Sequence, residues 1–280
     1  MRLLITDGTT ELGRWVEVTG LGQGVDATGL LSRAGIERTL SVFSGFGDEM
    51  DRARVERRMA MATSACRDAV NTDSFFDECE PILGVRPDLI SGSTEARFAY
   101  RGAISGQVYA DPVVVSDIGG GSSEFVSANT EVSIDVGSVR LTESVLPNRP
   151  ASVEEMVAAR RTIEREFVNV DMGDVGTHVG VAGTWTSLAA MAQELAEYDG
   201  KLVHGYRLSR LRLEEMTFML AAISVEETAA IPSLDPKRAP VILAGAVVAG
   251  GVMESLDVAD VVVSERDSLD GAAKHLLALP

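Results

Sequence analysis

The chain has 280 residues, 45% of them apolar and 24% charged, with a formal net charge of −17. That length suits two compact domains and the composition is ordinary for a globular protein, which excludes a disordered chain. The acidic balance excludes a bare nucleic-acid or acidic-membrane surface, and Cys66 and Cys79 form no CxxC pair, so neither a disulfide framework nor a zinc site is expected.

In chain order, "MRLLITD" is a short apolar run and "ELGRWVEVTGLGQGV" alternates before breaking on glycines, predicting a strand and then a loop. Ser32 is placed to cap a helix that carries Ile36, Leu40 and Phe43 at helical spacing. The runs "RRMAMATSA" and "PDLISG" read as strands, with "CRDAVNTDSFFDECEPILG" helical between them and "STEARFAYRGAISG" helical after them. "PVVVSDIGG" and "SSEFVSA" are two strands joined by a glycine turn. Ser152 with Glu155 three residues on is a capping box for the amphipathic helix "SVEEMVAARRTIEREFV". "THVGVAGTWTSLAAMAQEL" reads as strand, glycine turn and helix. Two helices follow, "SRLRLEEMTFMLAAI" and "KRAPVILAGAVVAGGVMESL", then the strand "DVADVVVSE" and a last helix, "DSLDGAAKHLLAL". The alternation predicts an α/β protein with mixed sheets. No signal-peptide series opens the chain, and its longest apolar stretch, 239–253, is too short to span a bilayer. A soluble cytoplasmic protein that binds neither nucleic acid nor membrane is expected.

Four stretches carry candidate chemistry. In "DIGGGSSE" the bare amides of Gly119, Gly120 and Gly121 can converge on an anion, with the Ser122 and Ser123 hydroxyls as further donors. Asp117 and Glu124 flank that turn; they repel phosphate unless a divalent cation or an oriented water lies between. The same glycines would equally serve a plain hairpin. A dinucleotide fingerprint is a poor fit, because Glu124 stands where its third glycine should be. Gly183 and Thr184 leave a strand for a helix N-terminus, a second seat for phosphate or an ordinary strand-to-helix turn. Glu95 lies near a helix start, where a carboxylate can simply complement the helix dipole, and Arg67 follows small polar residues and could be a plain surface arginine.

Taken together and in this order, "LGQGVDATGLLSRAGIERTL", "ATSACRDAVN", "ISGSTEARFAY", "DIGGGSSEFV", "VGSVRLTE", "GTWTSLAA", "VHGYRLSR" and "SERDSLDGAAKHL" resemble the exopolyphosphatase/guanosine pentaphosphate phosphohydrolase family of the actin-like ATPase superfamily, in its short actinobacterial type. The resemblance runs nearly end to end. It implies two ribonuclease-H-like domains with a phosphate-binding cleft between them: domain I as residues 1–112 plus about 265–280, and domain II as 113–264. It implies Glu95 as general base, Asp117 and Glu124 as acids that hold Mg²⁺ (or Mn²⁺) or the attacking water, Gly119 to Ser123 and Gly183–Thr184 as phosphate loops, and Arg67 as a chain-binding arginine. The implied activity is release of orthophosphate from the ends of inorganic polyphosphate, with pppGpp 5′-phosphohydrolysis as its rival and a homodimer as the family-level expectation.

One departure accompanies the match. Family members open with a strand and an "ID-G-S/T-N-S-x-RLLI" loop, of which "MRLLITD" keeps only the tail. Begun at Met1, domain I is expected to lack its first strand and first phosphate loop, leaving two neighbouring strands without a partner. A start assigned too late, a shortened enzyme and an inactive polyphosphate- or nucleotide-binding regulator are the three readings of that departure.

Overall fold

The structure, a computed structural model, describes residues 1–279. Its first half contains β1 (Arg2–Thr6), β2 (Glu11–Val16), α1 (Val25–Thr28), α2 (Arg33–Arg52), β3 (Met61–Ala62), α3 (Ser64–Asp68), α4 (Thr72–Leu83), β4 (Asp88–Leu89) and α5 (Gly92–Ala103). The second contains β5 (Val113–Ile118), β6 (Ser123–Val126), β7 (Glu131–Ile134), α6 (Ser138–Ser144), α7 (Val153–Phe167), β8 (Thr177–Val181), α8 (Ala182–Ala192), α9 (Gly200–Val203), β9 (Arg207–Ser209), α10 (Arg210–Ala222), α11 (Val225–Ala229), α12 (Ile242–Ser255), β10 (Asp260–Val263) and α13 (Ser268–Ala278).

The second half is built on a mixed six-stranded sheet in the order β7-β6-β5-β8-β10-β9. β5 lies near its centre, parallel to β8 and antiparallel to β6, and all six of its residues are buried, as expected of an apolar run covered on both faces. On one face Trp185, Leu188, Leu213, Leu220, Leu243 and Val248 of α8, α10 and α12 form the main core. On the other, Ala96, Ala99 and Ala103 of α5 pack on Val113, Val115, Val179 and Val181. α13 in turn packs on α5, where Phe98 meets Ala272.

The first half has a separate core of Ile5, Leu31, Ile36, Phe75, Phe76 and Leu83 beneath α2 and α4. Its strands form two two-stranded ribbons, antiparallel β1–β2 and parallel β3–β4. Among the described residues no helix is long and apolar enough to cross a membrane.

The caps expected at Ser32 and Ser152 are present, the second as a complete capping box. Several boundaries differ from expectation. The runs at 57–65 and 87–92 yield strands of only two residues each. The helix expected over 66–84 is broken into α3 and α4, because the Asn71 side chain leaves the helical path to bond both the amide and the carbonyl of Leu31. No separate turn divides β8 from α8; the helix starts at Ala182, whose φ of 67° makes the corner. β7, α6, β9 and the short helices α1, α9 and α11 carry too weak an apolar period to announce themselves.

Candidate active site

The site begins at the end of β5. Asp117 is paired across the ladder with Glu124 of β6, and Ile118 with Ser123. The four residues between form a tight turn closed by the Gly119 amide on the Ser122 carbonyl at 2.9 Å. The carbonyls of Gly119 and Gly120 are taken by the amides of Ser138, Val139 and Arg140 at the start of α6, at 3.0, 2.8 and 3.1 Å. Gly137 permits that approach: a Cβ there would lie 2.6 Å from the Gly120 main chain. With the Gly119, Gly120 and Ser122 carbonyls occupied, the turn keeps the Gly120 and Gly121 amides free, and no acceptor among the described residues takes them.

Three carboxylates converge on this turn. Asp117, Glu124 and Glu95 are 4%, 1% and 8% exposed. Burial, then the Glu124 charge, pushes Asp117 well above the ordinary carboxylate range. Burial and then Glu95 push Glu124 up to about 7, against the pull of its hydrogen bonds from Ser122 and Ser133, the latter at 3.0 Å. Glu95 rises too, through burial, although Arg67 draws it back. It sits in the first turn of α5, whose N-cap Ser91 accepts from the Thr94 amide. Arg67 Nη1 donates to Glu95 Oε2 at 3.2 Å and to the Ile90 carbonyl at 2.9 Å, so α3 and the entry to α5 hold the pair in place.

The opposite wall is the start of α8. Thr184 Oγ1 donates to the Ile118 carbonyl at 2.9 Å, which ties the helix N-terminus to the end of β5. A Cβ on Gly183 would lie 1.9 Å from Arg238 Nη1. Only glycine lets that guanidinium settle on the helix start, where free amides and the helix dipole also favour an anion.

The cleft these elements enclose has a volume of about 410 Å³. Of the expected residues, Glu95, Asp117, Gly119, Gly120, Gly121, Gly183 and Thr184 line it. Glu124 stands behind Asp117, and Arg67 reaches the cleft through Glu95. Ser123 corrects the expectation of a hydroxyl donor. Strand alternation turns its side chain to the face opposite Glu124, where the hydroxyl donates to the Val136 carbonyl at 2.7 Å. That much the period of a strand could have told, since neighbours in β6 cannot share a face.

Sequence reasoning also missed residues that tertiary folding brings in. Arg2 pairs with Asp267 at the entry to α13, and its charge acts on both Asp117 and Glu95. Arg238, half-buried, lines the same cleft. Neither lies in a recognisable local pattern.

The carboxylates suit a hard cation. Among the described residues no three His, Cys, Asp or Glu side chains lie close enough together to hold a metal unaided. Asp117 and Glu124 offer two buried carboxylates whose ionised forms burial and neighbouring negative charge disfavour, so that a bound cation would stabilise them. Mg²⁺ is commonly held in this way, by one or two carboxylates with water and substrate phosphate filling its other positions.

Comparison with known proteins gives a consistent result. The profile of the Ppx/GppA phosphatase family matches residues 6–276. The chain is 36% identical to exopolyphosphatase 2 of Mycobacterium tuberculosis, over 99% of this chain and 95% of that protein. It is 27% identical to a guanosine-5′-triphosphate,3′-diphosphate pyrophosphatase of Photobacterium profundum, over 92% of this chain and 52% of that one. Among solved structures, an exopolyphosphatase-like protein superposes with a TM-score of 0.93 at 32% identity, over 98% of this chain and 94% of the other. The fold is therefore the two-domain actin-like ATPase fold, as the sequence led us to expect.

Proposed function

The chain belongs to the Ppx/GppA phosphatase family, and from that premise we propose that it hydrolyses the terminal phosphoanhydride bond of inorganic polyphosphate, releasing orthophosphate. The observation that carries this reading is the placement of Glu95, Asp117 and Glu124 around a glycine turn with unpaired amides, opposite a helix N-terminus.

The terminal phosphoryl group lies against the Gly120 and Gly121 amides, with the next one toward Gly183, the start of α8 and Arg238. Thr184 and Ser123 act mainly as anchors, each giving its hydroxyl to a main-chain carbonyl. Water attacks the terminal phosphorus, the bond to the bridging oxygen breaks, and the shortened chain leaves with the bond's electrons. Glu95 takes the proton of that water. It must be ionised to do so, and the Arg67 guanidinium at 3.2 Å favours the ionised form despite burial. Asp117 and Glu124 would hold Mg²⁺ or Mn²⁺, which when bound neutralises phosphate oxygens. With a net charge of −17 repelling the substrate, local amides and guanidinium groups must supply the attraction. The division near residues 112 and 265 is the proposed line between the two domains. A homodimer in the cytoplasm completes this reading on the strength of the family resemblance alone.

The second reading is pppGpp 5′-phosphohydrolysis, favoured by the similarity to the pyrophosphatase named above. Orthophosphate release from tripolyphosphate with Mg²⁺, with pppGpp as competitor, tests both. Release that pppGpp suppresses only weakly supports polyphosphate as substrate, whereas turnover of pppGpp alone overturns the first reading.

A further inference from the structure

Arg140 of α6 reaches across the cleft mouth from the second half of the chain to the first. Its Nη2 donates to Asp68 Oδ2 of α3 at 2.6 Å and lies 3.2 Å from Asp26 Oδ1 of α1. One helical turn on, Glu143 accepts the Gly24 amide at 3.0 Å. α6 therefore clasps α1 and α3 together. The same guanidinium sits beside the glycine turn: a Cβ on Gly121 would lie 3.6 Å from Arg140 Nη2 and 2.5 Å from Ser64 Oγ. Ser64 Oγ in turn donates to the Asp68 oxygen that holds Arg140, at 3.4 Å. Arg140 Nε is buried with no hydrogen-bond partner, so the guanidinium is incompletely satisfied where it rests.

We propose that Arg140 is a substrate-binding residue which Asp68 and Asp26 hold in the empty cleft, and that an incoming phosphate takes it from them. This rests on the functional reading above. Three features support an exchange rather than a fixed brace. The side chains of Asp68 and Asp26 are 36% and 38% exposed, so water receives them readily when the arginine leaves. An ion pair between partly exposed groups is worth little net. A phosphate, in contrast, offers several charged acceptors to a planar guanidinium and supplies the one Nε lacks. The same movement frees the Ser64 hydroxyl beside Gly121, and it loosens the clasp as substrate enters.

The proposal predicts opposite signs for the two sides of one ion pair. Binding of Mg²⁺-tripolyphosphate is measured by calorimetry on the full chain carrying Glu95→Gln, which slows consumption of the ligand. Arg140→Ala should weaken binding about tenfold, while Asp68→Asn and, independently, Asp26→Asn should tighten it about threefold. A brace with no ligand role would weaken binding, or leave it unchanged, in all three variants, and either result overturns the proposal. If no variant binds tripolyphosphate, with or without Mg²⁺, the functional reading falls and the clasp with it. If binding is present but the carboxylate variants fail to tighten it, the clasp alone falls.

Discussion

Asp117 and Glu124 stand directly opposite one another in the antiparallel β5–β6 pair, two carboxylates on one face of a buried ladder. Like charges in that relation destabilise a sheet; burial and then the Glu124 charge displace Asp117 upward, while burial and then the Glu95 charge displace Glu124. For Glu124, an unfolded value near 4.5 and a folded value of about 7 mean that the native state holds its proton longer than the unfolded one. Its stability penalty is therefore absent at low pH, grows as pH rises through that window and is full above it, at about 3 kcal/mol. We predict that metal-free Glu124→Gln melts higher than the parent at pH 8 and equal to it near pH 4. Mg²⁺ should raise the melting temperature of the parent and not of the variant. Equal melting of the two proteins at pH 8 without metal would sink this account.

Glu95 and Arg67 give a prediction in kinetics. Glu95→Gln keeps the size and the hydrogen bond from Arg67 but loses the base, so kcat should fall about 10²- to 10⁴-fold with tripolyphosphate binding retained. Arg67→Ala removes the charge that draws Glu95 down. The base then ionises later, and the acid limb of the kcat profile should move to higher pH. A limb that stays in place while only KM rises would confine Arg67 to substrate binding.

How far the sequence reached follows from how local each signal is. Asp117, the glycine turn and Glu95 lie within short stretches whose chemistry is written in adjacent residues, and the apolar α12 and the capping box of α7 are equally local. β7 could not be read because it lies at one edge of the sheet, with Glu131, Val132 and Ile134 half-buried and Ser133 exposed, and carries little apolar period. α6 begins on Gly137 with no side-chain cap, so nothing in its sequence marks the start. Arg2, Arg140, Arg238 and Asp267 come from four separated regions and meet the site only through tertiary folding. The Ser123 error has a different origin: a motif was read as a cluster of donors before the strand's alternation was imposed on it.

Gly183 tests the second anion seat. A methyl group there would stand 1.9 Å from Arg238 Nη1 and must displace the guanidinium. The displaced group is the end of a flexible side chain, so Gly183→Ala should cost little stability, within about 1 kcal/mol. KM for tripolyphosphate should nevertheless rise about tenfold, because the Arg238 charge leaves the helix start. The double variant Gly183→Ala/Arg238→Ala should then lose no more than Arg238→Ala alone. Additive losses would show that the glycine acts by some route other than the arginine.

His178 supplies a pH effect opposite in sign to that of Glu124. Its Nε2 meets Ser116 Oγ at 2.8 Å, and Ser116 in turn accepts from Trp185 Nε1 at 3.0 Å, one residue before Asp117 and one after Thr184. Ser116 Oγ thus bridges the indole and the imidazole, and His178 Nδ1 is buried without a hydrogen-bond partner. Burial lowers the pKa of this imidazole to about 3 from an ordinary 6.5. The unfolded chain therefore takes up a proton first as the solution is acidified. The stability contributed by neutral His178 is fully present above pH 6.5 and is lost as pH falls toward 3, by up to about 1.4 kcal/mol per pH unit. His178→Leu forgoes the bond to Ser116 and should be less stable than the parent at pH 8, by about 1 to 2 kcal/mol. It lacks the proton uptake, so the gap should close and then reverse between pH 6 and 4. Denaturant unfolding of both proteins across that range decides the matter: a gap that stays constant with pH would mean that the imidazole is not buried neutral beneath the strand that carries Asp117.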